Sequence, residues 1–394
     1  MQLVNPSSFY TASNTGINKK HNIQNNYVNL IPLKSDIFFN GMKKTYDMDK
    51  AKTEGDIPKD ANIFITSPKT KVKFPIGFNA NEIIQTTKGM SWLDRQFSGD
   101  DSNKINLQDA EIGYVHGLPS EKKNIGCLEL DNTNVDQVEN IPKVTLNNNS
   151  HVNYINDVGT VIARDSSAGI VSAKSLYVPS PGSKFEEVNV YSLNCPPDVT
   201  KDSNTYTEIT NVNATGGVGI DQVRVTGDLT TPQLTMTNSF ANNVKASYCT
   251  EFKNSEVKNM TLANVKKLDG CKADKLNLSG VDTAVIFDNR TQIKELNIQN
   301  GTAKLFITKE KEWDKPLNNY IKKINVSTNK YLGGIPLVKI QGGINVEEIN
   351  FVDTPGIVEF TKGEKYCPNV KINNGTAKYG VPTEVPVDDN DFED

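Results

Sequence analysis

Long apolar runs are missing from this sequence. The 394 residues contain no apolar stretch of about 18 residues and no charged-then-apolar start, so neither a membrane span nor a Sec-type signal peptide is expected. Hydrophobic residues make up 36% of the chain, and the mean hydropathy is −0.48. These values are low for a compact enzyme of this length, although they are not low enough for intrinsic disorder.

Excess positive charge and clustered metal ligands are missing too. A formal net charge of −4 and a pI near 5.6 argue against a broad face that binds nucleic acid. The five cysteines are far apart and form no CxxC pair, so we expect neither a structural zinc site nor a disulfide framework. Cys271 lies beside an apolar face and is expected to be a small buried thiol. No P-loop, GxGxxG, HExxH or EF-hand motif is present, and neither a cofactor nor a metal is predicted.

A repeated strand–corner–strand pattern is what the sequence does contain. Positions 1, 3, 10 and 12 are apolar in four twelve-residue segments, turn residues lie between the apolar pairs, and the letters NGTAK occur twice. The segments are LNLSGVDTAVIF, LNIQNGTAKLFI, INFVDTPGIVEF and VKINNGTAKYGV, which begin at Leu276, Leu296, Ile349 and Val370. Such a unit buries too few side chains to be stable alone, so we expect neighbouring units to stack.

The spacing of the first strands favours a solenoid. They recur at intervals of 20 to 28 residues, at Leu276, Leu296, Ile324, Ile349 and Val370. The strands of a hairpin meander recur about every 8–12 residues. The pattern resembles right-handed parallel β-helix-like β-solenoid proteins, at the level of architecture only. This resemblance implies a mainly β fold, a parallel β-helix or β-solenoid of about 8–10 coils with a small N-terminal α+β cap or head.

Weaker apolar pairs extend the pattern upstream. They begin at Val161, Leu176, Val188, Val223 and Met260, and Ile170 is assigned to the second half of the first pair. Phe252, Val257 and Leu262 recur every five residues, which resembles pentapeptide-repeat β-helices over a few turns. The rival fold is an all-β sandwich or a tandem of small β domains, because these also give short strands and Gly/Asn turns.

Composition divides the chain into four parts. Residues 1–35 lack Asp and Glu, resemble the Ser/Asn-rich starts of type III secretion effectors, and are predicted to be a flexible segment. Residues 36–145 are predicted to be an α+β or β cap or head, with a helix over Asn79–Phe97. The β-solenoid repeats are predicted over 146–381, and an acidic disordered tail over 382–394.

Candidate catalytic residues are few. The Gly-Asp-Asp run at 99–101 resembles that of polygalacturonases, but the companion motifs are absent and the run lies outside the repeats. Asp282, Asp288 and Arg290 cluster around a strong repeat and are the candidates for a catalytic groove. Cleavage of a glycosidic bond needs two carboxyl groups held about 5–10 Å apart, and the sequence does not place such a pair. A salt-bridged surface is the ordinary explanation of this cluster.

The repeats and their insertions predict an interaction or structural protein. Insertions around Trp313, Tyr320 and Tyr331 are candidate partner-binding elements, because insertions usually project from one face of a solenoid. We expect a non-enzymatic protein, exported without a Sec signal, that binds a protein or glycan partner along its flank. A bacterial effector, an adhesin and a phage or viral appendage all fit; an appendage is expected to be a homotrimer. The alternatives are a carbohydrate-active β-helix enzyme, either a polysaccharide lyase or a hydrolase, and a leucine-rich-type repeat with helical coil backs.

Overall fold

A computed structural model describes the chain in separate ranges. These are residues 36–39, 45–47, 62–65, 71–73, 79–85, 104–117, 127–197, 205–265, 267–279, 283–287, 290–299, 302–307, 319–328, 334–340, 344–361 and 369–380. The described residues form strands and turns and contain no helix. The strands build a parallel β-solenoid of about 12 turns, which confirms the predicted fold class. The number of turns exceeds the eight to ten expected, because strands upstream of residue 146 pair in the same parallel way.

The chain divides into two compact units, Met1–Glu186 and Glu187–Asp394. Unit 1 contains β1 (Asp36–Phe39), β2 (Thr45–Asp47), β3 (Asn62–Ile65), β4 (Lys71–Lys73), β5 (Asn79–Gln85), β6 (Lys104–Gln108), β7 (Glu111–His116), β8 (Cys127–Asp131), β9 (Asn134–Glu139), β10 (Lys143–Asn147), β11 (His151–Ala163) and β12 (Ser167–Tyr177). Each strand pairs in parallel with the equivalent strand of the next turn, as β7 does with β9 and β9 with β11.

The second unit continues the same architecture. The division falls inside β13 (Lys184–Cys195), and unit 2 contains β14 (Thr207–Ala214), β15 (Gly217–Asp221), β16 (Val223–Thr237), β17 (Phe240–Lys253), β18 (Glu256–Val265), β19 (Lys267–Asp269), β20 (Lys272–Leu278), β21 (Thr283–Phe287), β22 (Gln292–Gln299), β23 (Thr302–Ile307), β24 (Tyr320–Ser327), β25 (Leu337–Ile340), β26 (Val346–Phe351), β27 (Gly356–Phe360), β28 (Lys371–Asn373) and β29 (Gly375–Tyr379).

The apolar rows stack as the repeats predict. Leu276, Leu296, Ile324 and Ile349 lie opposite one another on β20, β22, β24 and β26. All four have no exposed surface. Because a parallel register places equal positions of successive turns side by side, each inward row continues the core of its neighbour.

The upstream pairs are buried as well, with one correction. The first residues of these pairs, Val161, Leu176, Val188, Val223 and Met260, are all buried. Ile170 was assigned to the core and is only half-buried, while Ala168 and Val171 on either side of it are buried. The assignment of Ile170 is wrong because burial does not alternate strictly along β12, and Ile170 lies opposite the exposed Tyr154 of the preceding turn.

Several corners place a left-handed residue before a buried hydroxyl, whereas Asp109 and Gln222 precede the apolar Ala110 and Val223. In unit 2, Asn238 and Asn254 have φ values of 45° and 46°, a region that Asn tolerates better than most residues. Ser239 and Ser255 follow them and are buried. The corresponding corners of unit 1 are Asn132-Thr133, Asn149-Ser150, Asp165-Ser166 and Gly182-Ser183.

The helix predicted over Asn79–Phe97 is wrong at its start. Residues Asn79–Gln85 form β5, which pairs in parallel with β3 and β7. Ile83 lies between Ile63 and Val115 in these pairings and has no exposed surface. Stacking against two apolar rows therefore outweighs the helical period of this short segment. Residues 86–97 lie outside the described ranges, as does the 99–101 run.

The register of the last repeat differs from the prediction by two residues. Ile349 is opposite Ile372 rather than Val370. In the second strands, Phe360 is opposite Tyr379. The connection between β28 and β29 is the single residue Asn374, whose φ of 55° makes a sharper corner than the longer connection before β27. A shift of two residues keeps the same side chains facing inward.

Candidate functional site

Most of the candidate site residues predicted from the sequence are in parts of the chain that the structure does not describe. Asp282, Asp288, Trp313 and Tyr331 lie outside the described residues. Arg290 is described, and its Nη2 lies 2.8 Å from Oδ1 of Asp269, with 57% of the arginine side chain exposed. The pair joins two successive turns at the surface, where an ion pair contributes little to stability.

Tyr320 is the first residue of β24, opposite Gln292 of the preceding turn. A hydrogen bond to the carboxylate of Glu347 raises the pKa of its phenol. Its role in binding a partner stays a prediction.

The described cysteines include three buried ones, Cys195, Cys249 and Cys271. No group of three or more His, Cys, Asp or Glu side chains among the described residues is placed to hold a metal ion. Cys271 is 1% exposed, which confirms the predicted buried thiol. Burial raises the pKa values of Cys195 and Cys249 to about 12, so both stay protonated and unreactive at neutral pH. No helix of the described part is long and apolar enough to cross a bilayer.

A polar flank is present on unit 1. We define it by side chains of three successive turns: Glu111, Asn134, Asp136, His151 and Asn153. The register places Glu111, Asn134 and His151 opposite one another on β7, β9 and β11. Because successive side chains of a strand alternate, the neighbouring Val135 is buried and the polar residues point outward. They line a shallow depression of about 240 Å³.

Three side chains of this flank and the hydroxyl of Ser167 on β12 form one continuous series of hydrogen bonds. The Asn153 amide donates from Nδ2 to Oδ1 of Asp136 at 3.0 Å, so its oxygen faces the imidazole of His151, 2.8 Å from Nε2. That contact makes Nε2 the protonated nitrogen. Nδ1 lies 2.8 Å from the hydroxyl oxygen of Ser167. These hydrogen bonds hold all four side chains in defined positions.

An exposed aromatic side chain borders the polar flank. Tyr154 follows Asn153, and burial does not alternate strictly there: both residues are exposed, the tyrosine by 53%. On the turns before it, the same row holds Gln137 and Tyr114. The Tyr114 hydroxyl donates to Glu139, and its ring stacks on His116 with centroids 5.4 Å apart. The flank therefore combines planar polar groups with an apolar platform.

No family model, curated protein or solved structure matches this chain.

A second organised surface is the amide ladder of unit 2. Its members occupy the same register position on five successive turns: Asn277, Asn297, Asn325, Asn350 and Asn373. Each amide donates to the Oδ1 of the preceding one, with distances of 2.9 Å from Asn297, 2.8 Å from Asn325 and 3.1 Å from Asn350. Asn373 donates to Asn350 in the same way. The first amide, of Asn277, donates to Thr261.

A charge ladder runs beside the amides, two residues earlier on each strand. It consists of Lys275, Glu295, Lys323, Glu348 and Lys371, so the sign alternates from turn to turn. Nζ of Lys275 lies 3.5 Å from Glu295, and Nζ of Lys371 lies 3.5 Å from Glu348. The hydrogen bond from Asn297, together with Lys275, lowers the pKa of Glu295. Ladder residues themselves line a groove of about 470 Å³, together with Ile298 and Val352.

The sequence carries a signal for the ladders that our repeat pattern did not use. A charged residue, an apolar residue and an asparagine recur as KLN, ELN, KIN, EIN and KIN, ending at Asn277, Asn297, Asn325, Asn350 and Asn373. The polar flank of unit 1 has no such signal, because its members meet only through a register between turns of unequal length.

Proposed function

We propose that this protein is a non-enzymatic β-solenoid interaction protein that binds a neutral or amino-bearing glycan on the polar flank of unit 1. The observation that carries the proposal is the hydrogen-bonded chain from Ser167 to Asp136 beside the exposed ring of Tyr154.

The chemistry of the flank matches that of a sugar. Sugar hydroxyls both donate and accept hydrogen bonds, and the carboxylate of Asp136 and the amide of Asn134 supply acceptors and donors held on rigid strands. Tyr154 offers an amphipathic ring on which the C–H face of a pyranose can pack. Successive strands lie about 4.8 Å apart, so an extended oligosaccharide lying across them meets the next turn at each step.

The charges of the flank select among glycans. Glu111 and Asp136 are both exposed and have the same sign as uronic acids and sulfated sugars. Like charges across an interface oppose binding, so neutral and amino sugars are favoured over acidic polymers.

A second candidate function, acyl transfer, rests on one observation. The Ser167 hydroxyl lies 2.8 Å from Nδ1 of an imidazole that Asn153 contacts through Nε2, and such a pairing of a hydroxyl with an imidazole can activate a nucleophile. The Ser167 backbone N–H, however, donates to the Ser150 carbonyl at 2.9 Å and is not available to stabilise an oxyanion. Binding is therefore the better-supported function.

A glycan array tests the first candidate. The full chain is expected to bind neutral or amino oligosaccharides, and both Tyr154→Ala and Asp136→Ala should reduce the signal at least tenfold. Tyr191→Ala is the matched control, because Tyr191 is 59% exposed on unit 2 and should bind like the wild type. Absence of binding to every neutral and amino glycan, or binding unaffected by both flank variants, would overturn the proposal.

A fluorophosphonate probe tests the second candidate. Labelling of the wild-type chain that disappears in Ser167→Ala would replace the binding proposal by an enzymatic one, and we expect no labelling. Export as an effector, adhesin or appendage stays a prediction from the sequence.

A further inference from the structure

The charge ladder of unit 2 has a property that reaches beyond glycan binding: it is complementary to itself. From this alternation we infer that two copies of the chain associate through the charge and amide ladders, related by a two-fold axis perpendicular to the ladders. This inference is independent of the glycan proposal, because it uses unit 2 alone.

The alternation fixes where the axis must lie. An axis through the Lys323 rung would place lysine against lysine and glutamate against glutamate. An axis midway between the Glu295 and Lys323 rungs places each glutamate against a lysine of the second copy: Glu295 against Lys323, and Glu348 against Lys275. Lys371 then faces the amide of Asn259, which precedes Lys275 in the same row. A two-fold interface requires this reciprocity, in which residue i meets j and j meets i.

The side chains of the face are held in position yet accessible. The amides are tied to one another along the ladder, and Asn297 also donates to Glu295 at 3.0 Å. The charged side chains keep 44% of their surface exposed in Lys275, 37% in Glu295, 31% in Glu348 and 70% in Lys371. Little side-chain entropy is therefore lost when a second copy docks.

Charge distribution argues for a second copy over other partners. A polyanion or a polycation would meet a repelling group on every second rung, since the sign changes at each turn. A partner has to alternate with the same period of about 9–10 Å, which is two strand spacings. Another copy of this face meets that requirement by construction.

The size of the face sets the expected strength. Six rungs at about 4.8 Å, each two outward residues wide, bury on the order of 400 Å² per copy, about half of a standard interface. We expect a weak dimer, with a dissociation constant of about 10–1,000 µM that rises steeply with ionic strength.

Sedimentation velocity on the full chain at rising concentration tests the inference with two reversed charges. Glu295→Lys places lysine against lysine in the dimer, and Lys323→Glu places glutamate against glutamate, so each variant alone should be monomeric at about 0.5 mM. Mixed in equal amounts, the two variants restore both opposite-sign contacts, and dimer should return to the wild-type level. Mixing cannot repair the ladder within either chain, so this rescue separates contacts between copies from stability within one copy.

One variant controls for the change in net charge, and one measurement controls for folding. Lys378→Glu, which changes the net charge as much as Lys323→Glu but lies on β29, should dimerise like the wild type. Circular dichroism shows that each variant is folded before it is scored. A wild-type chain that stays monomeric at about 0.5 mM and low salt, or a dimer that both single variants form equally well, would overturn the inference.

Discussion

At the scale of single residues, the buried hydroxyl of Ser239 closes one corner of unit 2. The Ser239 hydroxyl donates to the Thr237 carbonyl at 2.6 Å and accepts the backbone N–H of Val223 at 3.1 Å. Its own backbone N–H donates to the hydroxyl of Ser255, 16 residues on. At this corner a small side chain that both donates and accepts therefore satisfies backbone groups where the chain turns inside the core.

Removing the Ser239 hydroxyl should lower the free energy of unfolding. Ser239→Ala leaves the Val223 N–H without its partner inside the core, and we expect the free energy of unfolding to fall by about 1–3 kcal/mol. Cys271→Ser is the matched control: Cys271 follows Gly270, whose φ is 63°, and its thiol donates to a carbonyl as the serines do, so the change should be neutral or stabilising. Urea unfolding followed by circular dichroism measures both. Equal stability of Ser239→Ala and the wild type would contradict the role of the corner.

Buried thiols make stability depend on alkaline pH. The pKa values of Cys195 and Cys249 rise from 9.0 to about 12 in the folded state. The neutral thiol is favoured on folding, so this contribution is complete below pH 9 and is lost as the pH rises toward 12. Between pH 8 and 10.5 we expect a loss of about 2 kcal/mol per thiol. Urea unfolding at both pH values should show a smaller loss for the Cys195→Ala/Cys249→Ala variant than for the wild type; equal losses would rule the effect out.

At the scale of elements, the ladders allow outward side chains to contribute to the stability of the sheet. The inward–outward assignment alone suggests that replacing Asn297 costs little. In the structure its amide donates to Asn277 and Glu295 and accepts from Asn325, so it holds three turns together. Stability of the sheet therefore comes partly from its polar face.

Truncating the ladder at its centre should weaken unit 2. Asn297→Ala is expected to lower the free energy of unfolding by about 1–2 kcal/mol. Three hydrogen bonds are lost, and water replaces the partner in some of them. Gln299→Ala, an exposed position on the same strand, should change it by less than about 0.5 kcal/mol. Thermal and urea unfolding compare the two, and equal effects would show that the ladder contributes nothing.

The sequence predicts the first strands better than the rest of each turn. Leu276, Leu296, Ile324 and Ile349 were aligned correctly because a local apolar pattern is enough to set an inward row. The second strands are aligned correctly only between the first two units, where Val285 is opposite Leu305. In the later units their register depends on the length of the loop before them. Leu305 is opposite Ile340, and Ile340 is opposite Phe360 rather than Val358.

The glycine of the second NGTAK segment is also required by a contact that the local sequence does not predict. In the corner before β29, Asn374 rather than Gly375 has the positive φ, 55°. A Cβ on Gly375 would lie 2.6 Å from the ring of Phe351, so close approach between turns is what requires glycine there. A contact between residues of different turns leaves no trace in the local sequence, and the same holds for the polar flank of unit 1.

At the scale of the whole molecule, stability is shared between neighbouring turns. Each turn of unit 2 contacts mainly the turns before and after it, as β22 pairs with β20 and β24. In such arrays the stability is approximately a sum of nearest-neighbour terms, so damage is expected to be local at first.

A charge in the core should reveal that locality. Ile298→Asp places a carboxylate at a position that is 1% exposed, without a partner, and should open the turns next to it. Hydrogen exchange is expected to lose protection in β20, β22 and β24 before the upstream strands β16 and β17. Uniform loss across unit 2 would contradict the nearest-neighbour account.

The central claim is that outward residues of successive turns share one register, and disulfide trapping tests it most directly. Asn297→Cys with Asn325→Cys pairs two positions on adjacent strands, about 4.8 Å apart and within reach of a disulfide. We predict that mild oxidation joins them, as peptide mapping would show, whereas Asn297→Cys with Lys322→Cys stays reduced. A disulfide in the second pair, or none in the first, would contradict the account.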